Sequence, residues 1–256
     1  MQQLSPAGLR WWSPVVAAAA ALGVWEAGVR LGFVSPLFFP APSAIVRTLV
    51  RLSTAGTLLV DARTTLLRVL AGSLLGGLPG FALGLAMGWS GRLRHLLDPF
   101  VAALHPIPKI ALLPLLMIIF GTGETGRVVT VSTAAFFPML VSTMSGVRQI
   151  SPTYFQVAAS YGAGTGQIVR RVIAPGSLPA VLTGVRLAFN FALLVTVSVE
   201  LVASRTGLGA VIWLSWETFR TENLYASLVL ISALGVGVNA ALQALERILL
   251  GRRGRW

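Results

Sequence analysis

The stretch SPTYFQVAASYGAGTGQIVRRVIAPGSLP, residues 151–179, lies polar and glycine-broken between two long apolar segments. A segment so placed must leave the bilayer, because lipid offers its exposed backbone no hydrogen-bond partners. Ser151 followed by Pro152 is a good helix start, since proline at the first helical position gives up no needed N–H bond. Tyr154 to Tyr161 then reads as a short helix, with little side-chain bulk at Ala158, Ala159 and Ser160. Gly162-Ala163-Gly164 breaks it, and Thr165 caps a second short helix through Val172. Arg170 and Arg171 fall in its last turn, where cations suit the negative end of the dipole. Pro175 is expected to stop the run. The result is a compact knob with a face of small residues.

Composition says what surrounds the knob. The 256 residues are 55% hydrophobic and only 11% charged, with a mean hydropathy of +0.80. Soluble proteins carry about 25% charged residues, so this is an all-α membrane protein in a single integral domain, 1–256. At roughly 20 apolar residues per crossing there is room for about five to seven helices. The absence of cysteine excludes disulfides, thiolate metal sites and cysteine nucleophiles. The net charge of +12 reflects membrane topology rather than nucleic-acid binding, because arginines flanking apolar spans hold a chain's orientation.

Working outward, the apolar runs predict six crossings, approximately 14–33, 66–89, 100–120, 128–147, 178–203 and 224–250. A cleaved signal peptide is the competing reading of the first; the membrane-embedded sequence downstream argues for a retained span. Residues 43–60 read as an amphipathic helix along the outer interface. Ser43 is its N-cap; Ile45, Val46, Leu49, Val50 and Leu52 gather on one face, with Arg47 and Arg51 on the other. The second crossing carries glycines at 72, 76, 77, 80, 84 and 88, which let helix backbones approach closely. The third contains His105-Pro106-Ile107-Pro108-Lys109 and then Pro114, prolines that open the hydrogen-bond ladder. Residues 90–99 are read as a connecting loop, and 204–223 as an outer loop.

The spacing in 151–179 resembles the cytosolic loop of inner-membrane subunits of binding-protein-dependent ABC importers, which reads E-A-A, three residues, Gly, nine residues, I-x-L-P. Gln156-Val157-Ala158 stands at E-A-A, Gly162 at the glycine and Val172-Ile173-Ala174-Pro175 at I-x-L-P. Glutamine for glutamate, valine for alanine and alanine for leucine are departures from the pattern. PIPKIALLPLLMIIFGTGE, beginning at Pro106, and Gly207-Leu208-Gly209 are similar to the nitrate, sulfonate and taurine branch of these importers. The resemblance implies a type I ABC importer permease fold with a cytosolic coupling-helix loop at 151–177. It implies contacts to the ATPase through Gln156, Ala158, Ala159, Gly162, Val172 and Pro175, and a homodimer with two ATPase subunits on its knobs. It further implies an extracytoplasmic solute-binding protein and a small anionic solute such as a sulfonate, taurine or nitrate, moved across the inner membrane of a bacterium.

Six crossings put both termini on one side. Basic residues number ten on the side of the termini and the knob against six on the other, which places that side in the cytosol.

The chain lacks a nucleotide site of its own. A P-loop needs Gly-Lys-Ser/Thr, and the one lysine, Lys109, follows Pro108. His95 and His105 form no ligand cluster with carboxylates, so no metal site is expected, and no Gly-x-Ser-x-Gly elbow occurs. The chain is therefore not an enzyme, and any ATP is bound by the partner subunit. What remains is a set of polar groups inside spans, which usually face the bundle interior or a watery path: Lys109, Arg186, Asn190 and Glu200. At about 100° per residue, Glu200 and Arg186 point within roughly 40° of each other. Each has a second reading. Glu200 would tie helices or dimer halves together, and Arg186 and Lys109 would reach the interface. Two other functions fit the same residues. One is an ion-gradient-driven secondary transporter with its coupling site at Glu200 and the broken third helix. The other is a membrane scaffold that moves nothing.

Overall fold

The computed structural model describes residues 13–251. Along the second apolar segment, glycines recur every four residues at 72, 76, 80, 84 and 88, a period that keeps them on one helical face. That face is the main seam of the molecule. Helix α3 (Thr57–Trp89) runs along α6 (Glu124–Arg148) on it. A Cβ at Gly80 would stand 2.5 Å from the Phe136 carbonyl oxygen, one at Gly84 2.6 Å from that of Leu140, and one at Gly88 2.6 Å from the Val147 Cβ. At Gly76 it would run into the Ser132 carbonyl. Backbones this close gain dispersion contacts along the seam, which hold helices together where lipid removes the hydrophobic drive. Gly77, one residue on, faces open space, and α3 continues through Pro79 without a break.

The third wall of the core is a 39-residue helix, Thr165–Ala203. It consists of α8 (Thr165–Ile168), a π turn at Val169–Ile173, and α9 (Ala174–Ala203). Val69, Val131, Ala135, Met139, Ala192 and Val199 meet where α3, α6 and α9 converge. Every regular element among the described residues is helical.

Around this core lie α1 (Ser13–Arg30), α2 (Pro42–Thr54), α4 (Gly91–Leu104), α5 (Leu113–Phe120), α7 (Pro152–Ser160), α10 (Leu208–Glu217) and α11 (Thr221–Gly251). Among the described residues, four helices are long and apolar enough to cross a membrane: Thr57–Trp89, Glu124–Arg148, Thr165–Ala203 and Thr221–Gly251. A fifth arises if Gly91–Leu104 and Lys109–Phe120, bent 88° to each other, are one broken span. The sequence predicts six. The first of those six is α1, whose 18 residues include Glu26 and Arg30 in their last turns.

Other expectations shift in detail. Residues 90–99 are helical rather than a loop, because α4 starts at Gly91 behind Ser90, whose hydroxyl accepts the Leu93 N–H at 3.3 Å. The break in the third segment then falls at 105–108, where the prolines withdraw N–H groups, and a 3-10 turn at Lys109–Leu112 restarts the chain. Residues 43–60 form two helices, α2 and the first turn of α3, parted at Gly56 with φ +79°. Ile45 is buried, and Leu49 and Leu52 pack in the cluster of Leu58, Leu208 and Ile231, while Val46 and Val50 are exposed. Ser43 is not the N-cap, which is Ala41. Instead the Ser43 N–H and hydroxyl donate to the Glu26 carboxylate at 3.0 and 2.7 Å, so α1 closes the start of α2 from outside. Arg10 and the arginines at 252, 253 and 255, used in the charge count, lie outside the described residues.

Candidate functional site

Two regions at opposite ends of the Thr165–Ala203 helix carry the chemistry. At its first end, α7 begins at Ser151, whose hydroxyl accepts the Thr153 N–H at 3.4 Å. It closes in a Schellman turn: Ala163 N–H donates to Ala158 O and Gly162 N–H to Ala159 O, both at 2.9 Å. The turn needs a left-handed residue, and Gly162 supplies it at φ +67° with nothing near its Cβ position. Gln156, Ala159 and Gly162 are exposed and Ala158 is half-buried, so the small face expected from the sequence is presented outward.

The second half of the loop departs from expectation. Gly164, not Thr165, is the N-cap, and its N–H donates to the Gln167 side-chain oxygen at 3.2 Å. Pro175 does not end the run. The π turn at Val169–Ile173 shifts the hydrogen-bond register just ahead of it, which accommodates a residue with no N–H, and the helix continues to Ala203. Arg170 and Arg171 therefore sit in the π turn near the start of the long helix rather than in a last turn. Val172 and Pro175 line a cleft of about 620 Å³, with Gln149, Tyr154 and Arg171, between the loop and the bundle. The loop is thus the base of a helix that, at about 1.5 Å per residue, runs roughly 58 Å to the other end of the molecule.

At that other end Glu200 is fully buried and fully engaged. Its carboxylate accepts from Arg68 Nη1 at 2.7 Å, Thr65 Oγ1 at 2.9 Å and the Gly209 N–H at 3.0 Å. Arg68, itself buried, also donates to both oxygens of Glu124 at 2.6 and 2.8 Å and to the Thr206 carbonyl at 2.7 Å. Arg127 donates to Glu124 at 2.7 Å and to the Ala203 carbonyl at 2.9 Å. Residues 204–223, expected as an outer loop, are strapped over this cluster at their start and helical as α10 over Leu208–Glu217. Asp61 accepts the Gly207 N–H at 2.7 Å, and Thr65 Oγ1 accepts the Leu208 N–H at 2.9 Å. Gly207, at φ +102°, packs directly on the Glu200 carboxylate, and a Cβ at Gly209 would lie 2.6 Å from the Glu200 Cβ. Gly207-Leu208-Gly209 is therefore the strip on which the carboxylate rests. One arginine and two carboxylates leave one excess negative charge, which Arg127 offsets.

The four candidate path residues do not form one site. Glu200 pairs with Arg68, across from α3, rather than with Arg186. Arg186 pairs with Glu246 of α11, and Asn239 Nδ2 donates to Asn190 Oδ1 at 2.8 Å, so both of these groups fasten α11 to α9. Lys109 stands apart at the break after α4, donating to the carbonyls of Leu104 and His105 at 2.8 and 3.0 Å. The sequence reading overlooked Arg68, Thr65 and Glu124 as partners. The signal was present, since an arginine inside an apolar span demands a carboxylate.

The comparisons with known proteins agree with this architecture. Residues 80–254 match the family described as binding-protein-dependent transport system inner membrane component. The chain is 32% identical to the taurine transport system permease protein TauC of Escherichia coli (strain K12), over 90% of this chain and 86% of that protein. It is 30% identical to the putative aliphatic sulfonates transport permease protein SsuC of Bacillus subtilis (strain 168), over 96% and 89%. Its fold is similar to that of an inward-facing MetNI methionine ABC transporter chain, with a TM-score of 0.70 at 18% identity over 77% of this chain and 97% of the other. The chain belongs to the binding-protein-dependent transport system inner membrane components: it is a multi-pass permease subunit of an ABC importer, a non-enzymatic subunit whose system includes a separate ATPase and a solute-binding protein.

Proposed function

We propose that two copies of the chain form the path by which a small organic sulfonate, of the taurine or short alkylsulfonate kind, enters the cell. The solute class rests on the two sulfonate-importer relatives, both at 30% identity or more across most of their length. In this reading residues 151–177 face the cytosol, as do both termini, and each loop seats in a groove of an ATPase subunit that binds the ATP. Gln156, Ala158, Ala159 and Gly162 make the contact, while Val172 and Pro175 join the loop to the lever. One observation carries the reading: the exposed small-residue loop is continuous, through the π turn, with the helix that ends at the buried Glu200 cluster. Closure of the ATPases on ATP draws the two loops together and tilts both levers, turning the path from inward-open to outward-open. The exposed apolar side chains Leu115, Ile118 and Ile119 of α5 with Phe191 and Leu194 of α9 suit the facing copy.

The ion-gradient alternative placed proton or ion coupling at Glu200. A dry carboxylate whose oxygens are taken up by Arg68, Thr65 and Gly209 is suited to fastening helices instead. Uptake of labelled taurine into proteoliposomes holding the permease, its ATPase and its binding protein tests the proposal. ATP-dependent uptake is expected. Uptake that ignores ATP but collapses with the proton gradient would overturn it.

A further inference from the structure

On the flank of the bundle, at the break after α4, lies a half-open cavity of about 310 Å³. It is at the small end of the size range of ligand sites. Its walls are His105 and Lys109 of the broken segment, Phe137 near the middle of α6, and Phe191, Leu194 and Ser198 of α9. Phe191 and Leu194 on its wall are exposed. None of its lining residues is acidic.

Among the described residues, Lys109 is a cation without a counter-ion. The chain has eight carboxylates, and each is engaged elsewhere: Glu26 by Arg30 and Ser43, Asp61 by Gly207, Asp98 by Arg94, Glu124 and Glu200 by Arg68, Glu217 by Trp213, Glu222 by Thr48 and Glu246 by Arg186. Among the arginines of α3, α6 and α9, Arg68, Arg127 and Arg186 have a carboxylate, while Arg63 and Arg148 have none and are exposed. Lys109 has only two carbonyls and the Phe137 ring, with Nζ 4.3 Å from the ring centre. Carbonyl oxygens and a ring face attract an ammonium but leave its full charge uncancelled. Two of its three N–H groups are used; the third is free for an acceptor. A half-buried charge without a counter-ion in a membrane segment usually marks a substrate or ion pathway.

We infer that this cavity is a resting point for the solute on its way through, with the anionic headgroup on Lys109 and His105 and the short carbon chain between Phe137 and Phe191. The ligand class is a small organic monoanion, a sulfonate in the reading above, on which the choice of ligand rests. The aromatic walls favour an anion with a few carbons over an inorganic one. A single lysine already shared with two carbonyls suits brief rather than tight binding, as a conducting site requires.

The test uses the full chain in lipid nanodiscs with ethanesulfonate as probe, read by saturation transfer from protein to the ethyl protons. Lys109→Gln removes the charge but keeps a donor for the Leu104 and His105 carbonyls, so the break retains its cap. Lys109→Arg keeps the charge. The signal is expected in the wild type, lost in Lys109→Gln, retained in Lys109→Arg and reduced in Phe191→Ala, with all variants eluting as the wild type does. An equal signal in Lys109→Gln, or none in the wild type, would overturn the site. Sulfonate uptake by wild-type proteoliposomes, measured alongside, separates the two claims. Uptake without Lys109-dependent binding sinks the cavity and leaves the importer. Lys109-dependent binding without sulfonate uptake keeps the cavity and sinks the sulfonate as the imported solute.

Discussion

The two ends of the Thr165–Ala203 helix are built on opposite principles. Around Glu200 four segments are locked by charge-assisted bonds, with the carboxylate and Arg68 both withdrawn from solvent. Around Gly162 the chain is held by its own helix caps and little else, and the space beside the glycine is empty. Breaking a buried ion pair by removing one partner leaves a stranded charge and costs about 3–5 kcal/mol, whereas exposed turns cost far less to alter. A lever needs this asymmetry. Its far end must be fixed to the helices it moves, and its near end must accept a partner. Mutations at the two ends should therefore separate stability from coupling.

The largest effect is expected from Glu200→Ala. It takes one of the two carboxylates from Arg68, leaves the Thr65 hydroxyl and the Gly209 N–H without their acceptor and unfastens the 204–210 strap, and a loss of about 3–5 kcal/mol should appear as poor yield or a sharply lower Tm in detergent. An unchanged Tm would show the cluster to be dispensable. Next is Gly76→Ala, whose Cβ must push α3 away from the Ser132 carbonyl. Overpacking of this kind costs roughly 1–3 kcal/mol, read again as Tm, while Gly77→Ala on the open side should be silent. At the loop, Gly162→Ala forces an L-residue into the left-handed region at a cost of roughly 1–2 kcal/mol. It should lower ATP-driven uptake more than Tm, and Gly162→Asn, which tolerates that region, should recover most of the uptake. The smallest effect is expected at Asn239→Leu, which breaks the Asn190 bond between α9 and α11. Polar bonds between membrane helices average about 0.6 kcal/mol, so Tm should move slightly and transport not at all.

The same contrast marks what could be read from the sequence. Local and periodic features were legible. The four-residue glycine stripe on α3, the Ser151 start and the Gly162 bend follow from spacing and backbone stereochemistry alone. Long-range partners were not. Glu200 and Arg186 share a helix and nearly a face, yet Glu200 reaches Arg68, 132 residues away, and Arg186 reaches Glu246, 60 residues away. Helical periodicity says which way a side chain points and nothing about what meets it. Prolines misled for a related reason. The neighbouring backbone sets their effect: Pro79 is absorbed within α3, Pro175 follows a π turn, and 105–108 breaks outright. The strap at 204–210 was hidden because its glycines look like loop residues until a buried carboxylate is found beneath them.

The central claim is that the exposed loop at 151–177 is where a separate ATPase takes hold. The most direct measurement is the mass and composition of the tagged full chain purified in mild detergent beside its Gly162→Trp variant. The account predicts two ATPase subunits for every two permeases in the wild type and none in the variant, with the permease dimer intact in both. Equal ATPase recovery with Gly162→Trp, or a wild-type permease that brings none, would contradict it.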